Sequence, residues 1–580
     1  MNRINTTPQR LFVIVFSLFI SLNVYSTVLF ADGKSFYDIV LPASASISEK
    51  TAAQELKTYL HKISGANFTI SSEPNQGVHH IYIGYNDIVH DMTHEEKPTN
   101  EDESFTYRTI EKDLFIYGGR QRGTMYGVFA FLEQQLGIHW YTPDYTHIPQ
   151  LRKWDLPQLH RCESPAISRR QVYYHASFNL DWKAHNMDNA GYYVGDVNKY
   201  GGGQPAIWGN HTMHKLLPPE KYFMQHPEYY SLYNGKRSEN GQLCLSNKSV
   251  LHEVTKNLLD SISQHPLFET YCVGQNDNSY ACECNHCKQL ASQYGGQSGL
   301  LLWFVNQIAD AIKQKYPEKY VATFAYQYTQ KPPKNITPRD NVIIRLSTIT
   351  CCFCHPIENC QENATFRNDY TEWSKLTRNV YIWDYTTGFF QFLAPFPNFA
   401  TMAPNIDFFS RHSVLGILEE GQYLNAGGEF GELKAWLLCK LLWNPKQDTD
   451  SLAHMFIYDY YSHAGDDIYK YYQLCKSLGM TPNHVKFKYY DNDPVLTEQF
   501  IKKSKHILSH AEQKVKDNFV LLQRVQRICA QITWLEVARN RSQAIANGSY
   551  KKLIDYLKRE KTHVKETMSA EQYLQREGAT

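Results

Sequence analysis

Residues 300–326 read LLLWFVNQIADAIKQKYPEKYVATFAY, and the stretch changes period halfway along. Leu301, Val305, Ile308 and Ile312 fall on one face of a helix over Leu300–Lys313. Val321–Tyr326 is a short unbroken apolar run, the pattern of a strand covered on both faces. Val342–Ser347 (VIIRLS) repeats the strand pattern. A helix between strands of this kind is the repeating unit of a parallel sheet.

Working outward from Arg169, eight runs read as strands: Gln171–His175, Ala206–Asn210, Gln242–Leu245, Thr270–Gly274, Val321–Tyr326, Val342–Ser347, Val380–Asp384 and Val414–Leu418. Helical periodicity over Val250–Ile262 and Glu432–Leu442 fits the alternation. The expected fold class is α/β, with a central (β/α)₈ TIM-like barrel over residues 151–445. Upstream, residues 32–150 read as a small α/β sandwich. It has strands over Phe36–Leu41, His80–Gly84 and Leu114–Tyr117, helices over Ile47–Ile63 and Thr124–Leu136, and a linker marked by Pro143 and Pro149. Downstream, residues 446–580 read as a helical region, with helices over Leu496–Ala511, Phe519–Ala538 and Lys551–Lys558 and a frayed polar end.

The 580 residues carry a formal charge of +1, and hydrophobic residues make up 42%. Disorder and low complexity are excluded. No basic field exists to hold nucleic acid or an anionic membrane. Arg3 and Arg10 followed by the apolar run Leu11–Leu22 read as a signal peptide over residues 1–31, with Ser26 or Ala31 at the cut. The run is short for a membrane span. The expectation is an exported protein, periplasmic or secreted, with no membrane partner beyond the signal peptide. Tyr 41, Phe 29 and Trp 10 favour a polar, ring-shaped ligand such as a sugar.

Seven of the 13 cysteines fall in two clusters. Cys282, Cys284 and Cys287 form one; Cys351, Cys352, Cys354 and Cys360 form the other. In an exported protein, disulfides are the default use. A structural zinc with three thiolates from one cluster and a ligand from the other is the alternative.

A barrel places its chemistry at the C-terminal ends of its strands. Those ends offer His175, Asn210-His211, Gln275-Asn276-Asp277, Trp383-Asp384-Tyr385 and Glu419-Glu420. Paired carboxylates there suit glycoside hydrolysis, in which one acid protonates the leaving oxygen and a second group supports the oxocarbenium-like centre. Asp277 and Glu419 are the expected catalytic pair. Glu420 is set aside because neighbours on a strand face opposite ways and only one enters the mouth. Asn276, His211, Trp383, Asp384, Tyr385, His355 and Glu429 are the expected substrate-binding residues, with Trp208 a further stacking candidate. His355 also suits a metal. The sequence has no P-loop, no dinucleotide fingerprint, no G-x-S-x-G and no H-E-x-x-H. Such chemistry requires no cofactor. Two other readings share these features: a non-catalytic glycan-binding barrel and a metal-dependent hydrolase.

Residues 113–140 resemble the small domain that precedes the barrel in family 20 β-hexosaminidases and in α-glucuronidases. The marks are Gly118-Gly119, Arg122-Gly123-Thr124, Tyr126-Gly127, Phe131-Leu132-Glu133 and Leu136-Gly137. The barrel resembles bacterial proteins long carried as a domain of unknown function, some placed in glycoside hydrolase family 163. The matching pieces are Gln275-Asn276-Asp277 with the first cysteine cluster, Cys351-Cys352-Phe353 with His355-Pro356, Tyr381–Tyr385, Pro395–Phe399, Gly427–Phe430 and Leu441–Pro445. The resemblance implies endo-β-N-acetylglucosaminidase action on the core of complex N-glycans. An exo-acting N-acetylhexosaminidase or glucuronidase is the alternative. In the family a glutamine usually follows the matching glutamate; here Glu420 stands there, which leaves Glu419 as the better match. On a 2-acetamido sugar, one of Asp277 and Glu419 would orient the acetamide and the other would be the acid.

Overall fold

The computed structural model describes residues 26–192, 198–412 and 414–579. Residues 1–25 of the expected signal peptide lie outside the described residues. Thr27–Ala31 is a strand paired antiparallel with Lys153–Leu156, and Leu29 and Phe30 are fully buried.

Helix Ile47–Ser64 starts at a capping box between Ser46 and Glu49 and stops at Gly65, whose φ of 72° favours glycine. Its buried stripe of Ala52, Leu56, Leu60 and Ile63 packs with helix Gly123–Leu136 on one face of a mixed six-stranded sheet. The strand order is His160–Glu163, Phe105–Ile110, Asp113–Gly118, His79–Ile83, Tyr37–Val40, Ile70–Ser71. Helix Asp87–Thr93 covers the other face through Val89. The sheet takes in chain as late as Glu163. Within the expected linker, Tyr145–His147 pairs with His139–Thr142.

The second sheet has six parallel strands in the order Arg169–Tyr173, Gly416–Glu420, Val380–Tyr385, Val342–Ser347, Tyr320–Ala325, Thr270–Cys272. It curls into a half-barrel. The expected eight full strands are corrected to six. Two short pieces bridge the gap: Ala190–Tyr192 pairs parallel with Gln204–Pro205, and Trp208 makes a lone parallel bridge to Tyr271. Beside Arg169–Tyr173, side chains take over the backbone ladder. Asn189 Oδ1 accepts from the Arg170 amide at 2.8 Å, and Asp188 Oδ2 from the Val172 amide at 3.1 Å. Short polar side chains compete with strand pairing in this way. The expected strand Gln242–Leu245 keeps one antiparallel bridge, Leu243 to Tyr230.

Helix Gly431–Trp443 is buried almost all round and ties the two sheets together. The Trp443 ring stacks 5.7 Å from Phe105, and its indole donates to Glu163 at 2.9 Å. Lys440 Nζ lies 2.6 Å from Glu133. The C-terminal region is helical, as the periodicity predicts. Its last helix, Ala570–Arg576, is capped by Ser569 and Gln572 and buries Tyr573 and Leu574, so the end is packed rather than frayed. The segment before it crosses the rim of the half-barrel, where the Phe392 amide donates to the Val564 carbonyl at 2.9 Å. Among the described residues no helix is long and apolar enough to cross a membrane.

Candidate active site

Strand parity decides which carboxylates meet. Leu418 packs in the half-barrel interior with Ala322, Ile343 and Tyr381. Ile417 packs outward with the surrounding helices. Two-residue alternation then turns Glu420 inward and Glu419 outward. Glu420 lines a cavity of about 330 Å³ together with Gln171, Asn210, Arg345, Trp383 and Leu418. That size is at the small end of ligand pockets.

Glu420 is 8% exposed and accepts a 2.6 Å hydrogen bond from the Trp383 indole. Burial pushes its carboxyl up to about 7; the Trp383 bond and Arg345 pull the other way, and Glu566 adds to the rise. Arg345 stands at mid-strand, buried, 4.4 Å from the Trp383 ring and 5.2 Å from Phe324. Its Nη1 donates to Asn210 Oδ1 at 2.6 Å, and its Nε has no protein partner among the described residues.

Asp277 lies exposed at the end of the Thr270–Cys272 strand, where Tyr326 donates to Oδ1 at 3.0 Å. Burial raises Tyr326 to about 12 and Asp277 adds to it, so the phenol stays a donor. His211 is exposed nearby; its Nδ1 is 2.6 Å from the Gln275 carbonyl, and its ring centroid is 6.2 Å from Tyr326. Asp277, His211, Trp383 and Tyr385 therefore belong to the mouth. Tyr385 is half-buried, edge-on to Phe353, Phe389 and Phe487.

The other expected residues lie elsewhere. Glu419, 1% exposed, sits behind the sheet against Asp384. Burial and the Asp384 charge raise its pKa well above the usual range, and burial lifts Asp384 to about 6. Asp384 accepts from Thr348 Oγ1 at 2.6 Å and the Tyr385 amide at 2.9 Å. Asn276 spends its amide on the scaffold: Nδ2 donates to the Gly241 carbonyl and Oδ1 accepts from the His214 amide. Glu429 is buried in an ion pair with Lys434. His355 lies among the second cysteine cluster. Trp208 is buried under the Lys215 ammonium, 4.0 Å from its ring.

Two cavity features stand outside the expected site residues. One is Glu420, because an apolar strand covered on both faces does not reveal its parity. The other is Arg345, whose signal was visible: a lone cation inside VIIRLS.

Residues 140–473 match the family described as "Domain of unknown function (DUF4838)". The chain belongs to this family. The DUF4838 region holds the whole half-barrel and every cavity residue named above. Residues 32–131 match "Glycosyl hydrolase family 67 N-terminus". No curated protein matches the chain. Among solved structures, the chain is similar to a family GH115 4-O-methyl-α-glucuronidase with specificity for decorated arabinogalactans. Identity is 10% over 92% of this chain and 77% of that one, with a TM-score of 0.58. It is also similar to Flavobacterium johnsoniae chitobiase of family GH20, at 13% identity over 92% of this chain and 94% of that one, with a TM-score of 0.47. The first likeness shows a shared overall fold for this DUF4838 chain.

Proposed function

We propose that the chain is a glycoside hydrolase with Glu420 as its proton donor. The carrying observation is a buried carboxyl inside the cavity at the C-terminal end of the half-barrel, held by Trp383 and protonated up to about pH 7. An acid with that pKa can give its proton to a leaving oxygen near neutrality. Asp277, across the mouth, is the second carboxylate. On a 2-acetamido sugar it would orient the acetamide or support the ring positive charge. The family 67-type N-terminal domain and the shared fold with a glucuronidase support a carbohydrate substrate.

The finer reading is endo cleavage in the core of complex N-glycans by a family 163-type enzyme, and it rests on the sequence motifs. Arg345 favours a second reading. A buried guanidinium with an unused Nε–H would bind the carboxylate of an acidic sugar, as in an exo-acting glucuronidase.

The test is a substrate panel: glycoproteins with complex and with high-mannose N-glycans, aryl N-acetylhexosaminides and aryl glucuronides. Glu420→Gln should lower turnover at least about 100-fold on whichever substrate is cleaved, and Glu419→Gln should stay within a few-fold. Full activity in Glu420→Gln would remove the assignment. Release of a glycan with one core N-acetylglucosamine supports the endo reading, and uronide cleavage supports the acidic-sugar reading. A folded wild-type chain that binds glycan and cleaves nothing on the panel leaves a binding protein instead.

A further inference from the structure

All 13 cysteines are free thiols, yet eight side chains, six of them from the two cysteine-rich loops, converge in two groups of four. In the first, one sulfur each from Cys244, Cys282, Cys284 and Cys287 lies within 4.8 Å of the others. In the second, the donor atoms of Cys352, His355, Cys360 and His484 do the same. We propose that these are two closed four-ligand zinc sites, one Cys₄ and one Cys₂His₂, that pin the loops around the candidate active site.

The distances fit a metal. Zn–S bonds of about 2.3 Å at tetrahedral angles put sulfurs about 3.8 Å apart. Cys244 Sγ is 3.7 Å from Cys284 Sγ and 3.8 Å from Cys287 Sγ. A disulfide needs about 2.05 Å. Backbone and guanidinium donors also point at the sulfurs, as they do at thiolates. The Leu232 amide is 3.4 Å from Cys282 Sγ, the Cys287 amide 3.5 Å from Cys284 Sγ, and Arg237 Nη1 3.8 Å from Cys282 Sγ. Arg237 would offset part of the double negative charge of a zinc with four thiolates.

In the second group the two ligand nitrogens, His355 Nδ1 and His484 Nδ1, are 3.3 Å apart. Zn–N bonds of about 2.05 Å predict about 3.3 Å. Cys352 Sγ is 3.3 Å from each, and Cys360 Sγ is 3.7 Å from His484 Nδ1; a mixed S–N edge is about 3.6 Å. His355 Nε2 donates to the Thr481 carbonyl at 2.8 Å. That bond leaves the lone pair on Nδ1, the arrangement of a metal-bound imidazole oriented by a carbonyl. Cys354 Sγ, 3.5 Å from Cys352, instead accepts from the Val485 amide. No ligand is left for water at either site, so both are structural rather than hydrolytic. The expected sharing of one metal between the two sequence clusters gives way to two sites. Each takes a partner from outside its own cluster, Cys244 in one and His484 in the other.

The positions say what is held. Residues 242–244 lead from Gln242, whose Nε2 bonds the Asn276 and Asn278 carbonyls at 2.8 Å on either side of Asp277, to the ligand Cys244. The second site joins the loop after Val342–Ser347 to His484, beyond helix Gly465–Leu478.

Metal analysis of the full chain, purified without chelator, should give two zinc per chain. Cys244→Ser and His484→Ala should each lose one. X-ray absorption at the zinc edge of the wild type tests the same claim where a variant does not fold, with an expected average first shell of three sulfurs to one nitrogen. A folded wild type with no stoichiometric zinc, or disulfides in the clusters by intact mass, overturns both sites. A single zinc lost only with Cys244 overturns the second. Iron in place of zinc overturns the assignment of the metal.

Discussion

Glu419 and Glu420 are adjacent in sequence and live in different media. Both are buried and both are held toward the protonated form, yet only Glu420 reaches space that a substrate can enter. The consequence is a pH profile. A proton donor with a pKa of about 7 should make turnover fall above pH 7, roughly tenfold per unit once ionised. In Glu420→Asp the alkaline limb should move while the fold persists. A limb that stays in place in that variant would assign the titration to another group. Sequence composition made carboxylates at strand ends legible and left their direction undetermined. In a strand apolar on both faces, Ile417 and Leu418 look alike, so nothing marks which face is inside. Asp277 needed no such choice, because it follows the strand in an exposed turn. Asn276 and His355 looked like site residues because they carry the right atoms. The structure assigns those atoms to the Gly241 carbonyl and His214 amide and to the second cysteine cluster.

At the scale of elements, the strands flanked by strongly periodic helices were legible to within a residue or two. Val342–Ser347 matches end to end, and Val380–Tyr385 is one residue longer than expected. The stretch between Tyr173 and helix Lys248–Gln264 was not legible, because its order comes from side-chain-to-backbone bonds that leave no periodic trace. Asp188, Asn189 and Gln242 do there what ladder pairing does elsewhere, and Asn276, beyond the next strand, bonds back to Gly241. Helix Gly431–Trp443 shows how the two sheets depend on each other. Trp443 lies in the core of the first sheet, under the Arg170 guanidinium of the second, 5.2 Å from its ring. Trp443→Ala should cost about 3–5 kcal/mol. Both sheets should lose stability together, read as one shifted transition in thermal unfolding. Two separate transitions with only one shifted would refute the coupling. Strand Thr27–Ala31 carries a matching expectation. Truncation up to Ala31 removes Leu29 and Phe30, two fully buried side chains, and should cost about 2–5 kcal/mol for each, whereas removal of residues 1–25 leaves the strand in place. Chains starting at residues 26 and 32 with equal melting temperatures would contradict this.

Across the whole molecule, the buried carboxyls set how stability follows pH. Burial raises Glu420 and Glu429 to about 7 and Asp384 to about 6, and lifts Glu419 well above the usual carboxylate range. A carboxyl whose folded pKa exceeds its unfolded value favours the folded state while protonated. Its stabilisation is fully present below about 4.5 and is lost as pH rises through 6 to 7. Glu133 acts in the opposite sense. Burial works to raise it, but Lys440 and His139 outweigh that and hold it at about 2, so its contribution is present above about 4.5 and fails only in strong acid. His214, kept neutral by burial, takes stability away below about 6.5. Above about pH 4.5 the four raised carboxyls together outweigh His214, and below it Glu133 and His214 both take stability away, so among these groups thermal stability should peak near pH 4.5. The share of one residue can be isolated by difference. At pH 5 wild-type Glu420 is protonated and resembles glutamine, so Glu420→Gln should melt close to wild type. At pH 8 the wild type holds a desolvated carboxylate and the variant does not. The gap should open in the variant's favour, with an upper bound of about 3 kcal/mol from a shift of 4.5 to 7 at 1.36 kcal/mol per pH unit. Parallel melting curves at pH 5 and pH 8 would mean that Glu420 is not desolvated. The same measurement would then take away the elevated acidity on which its role as proton donor rests.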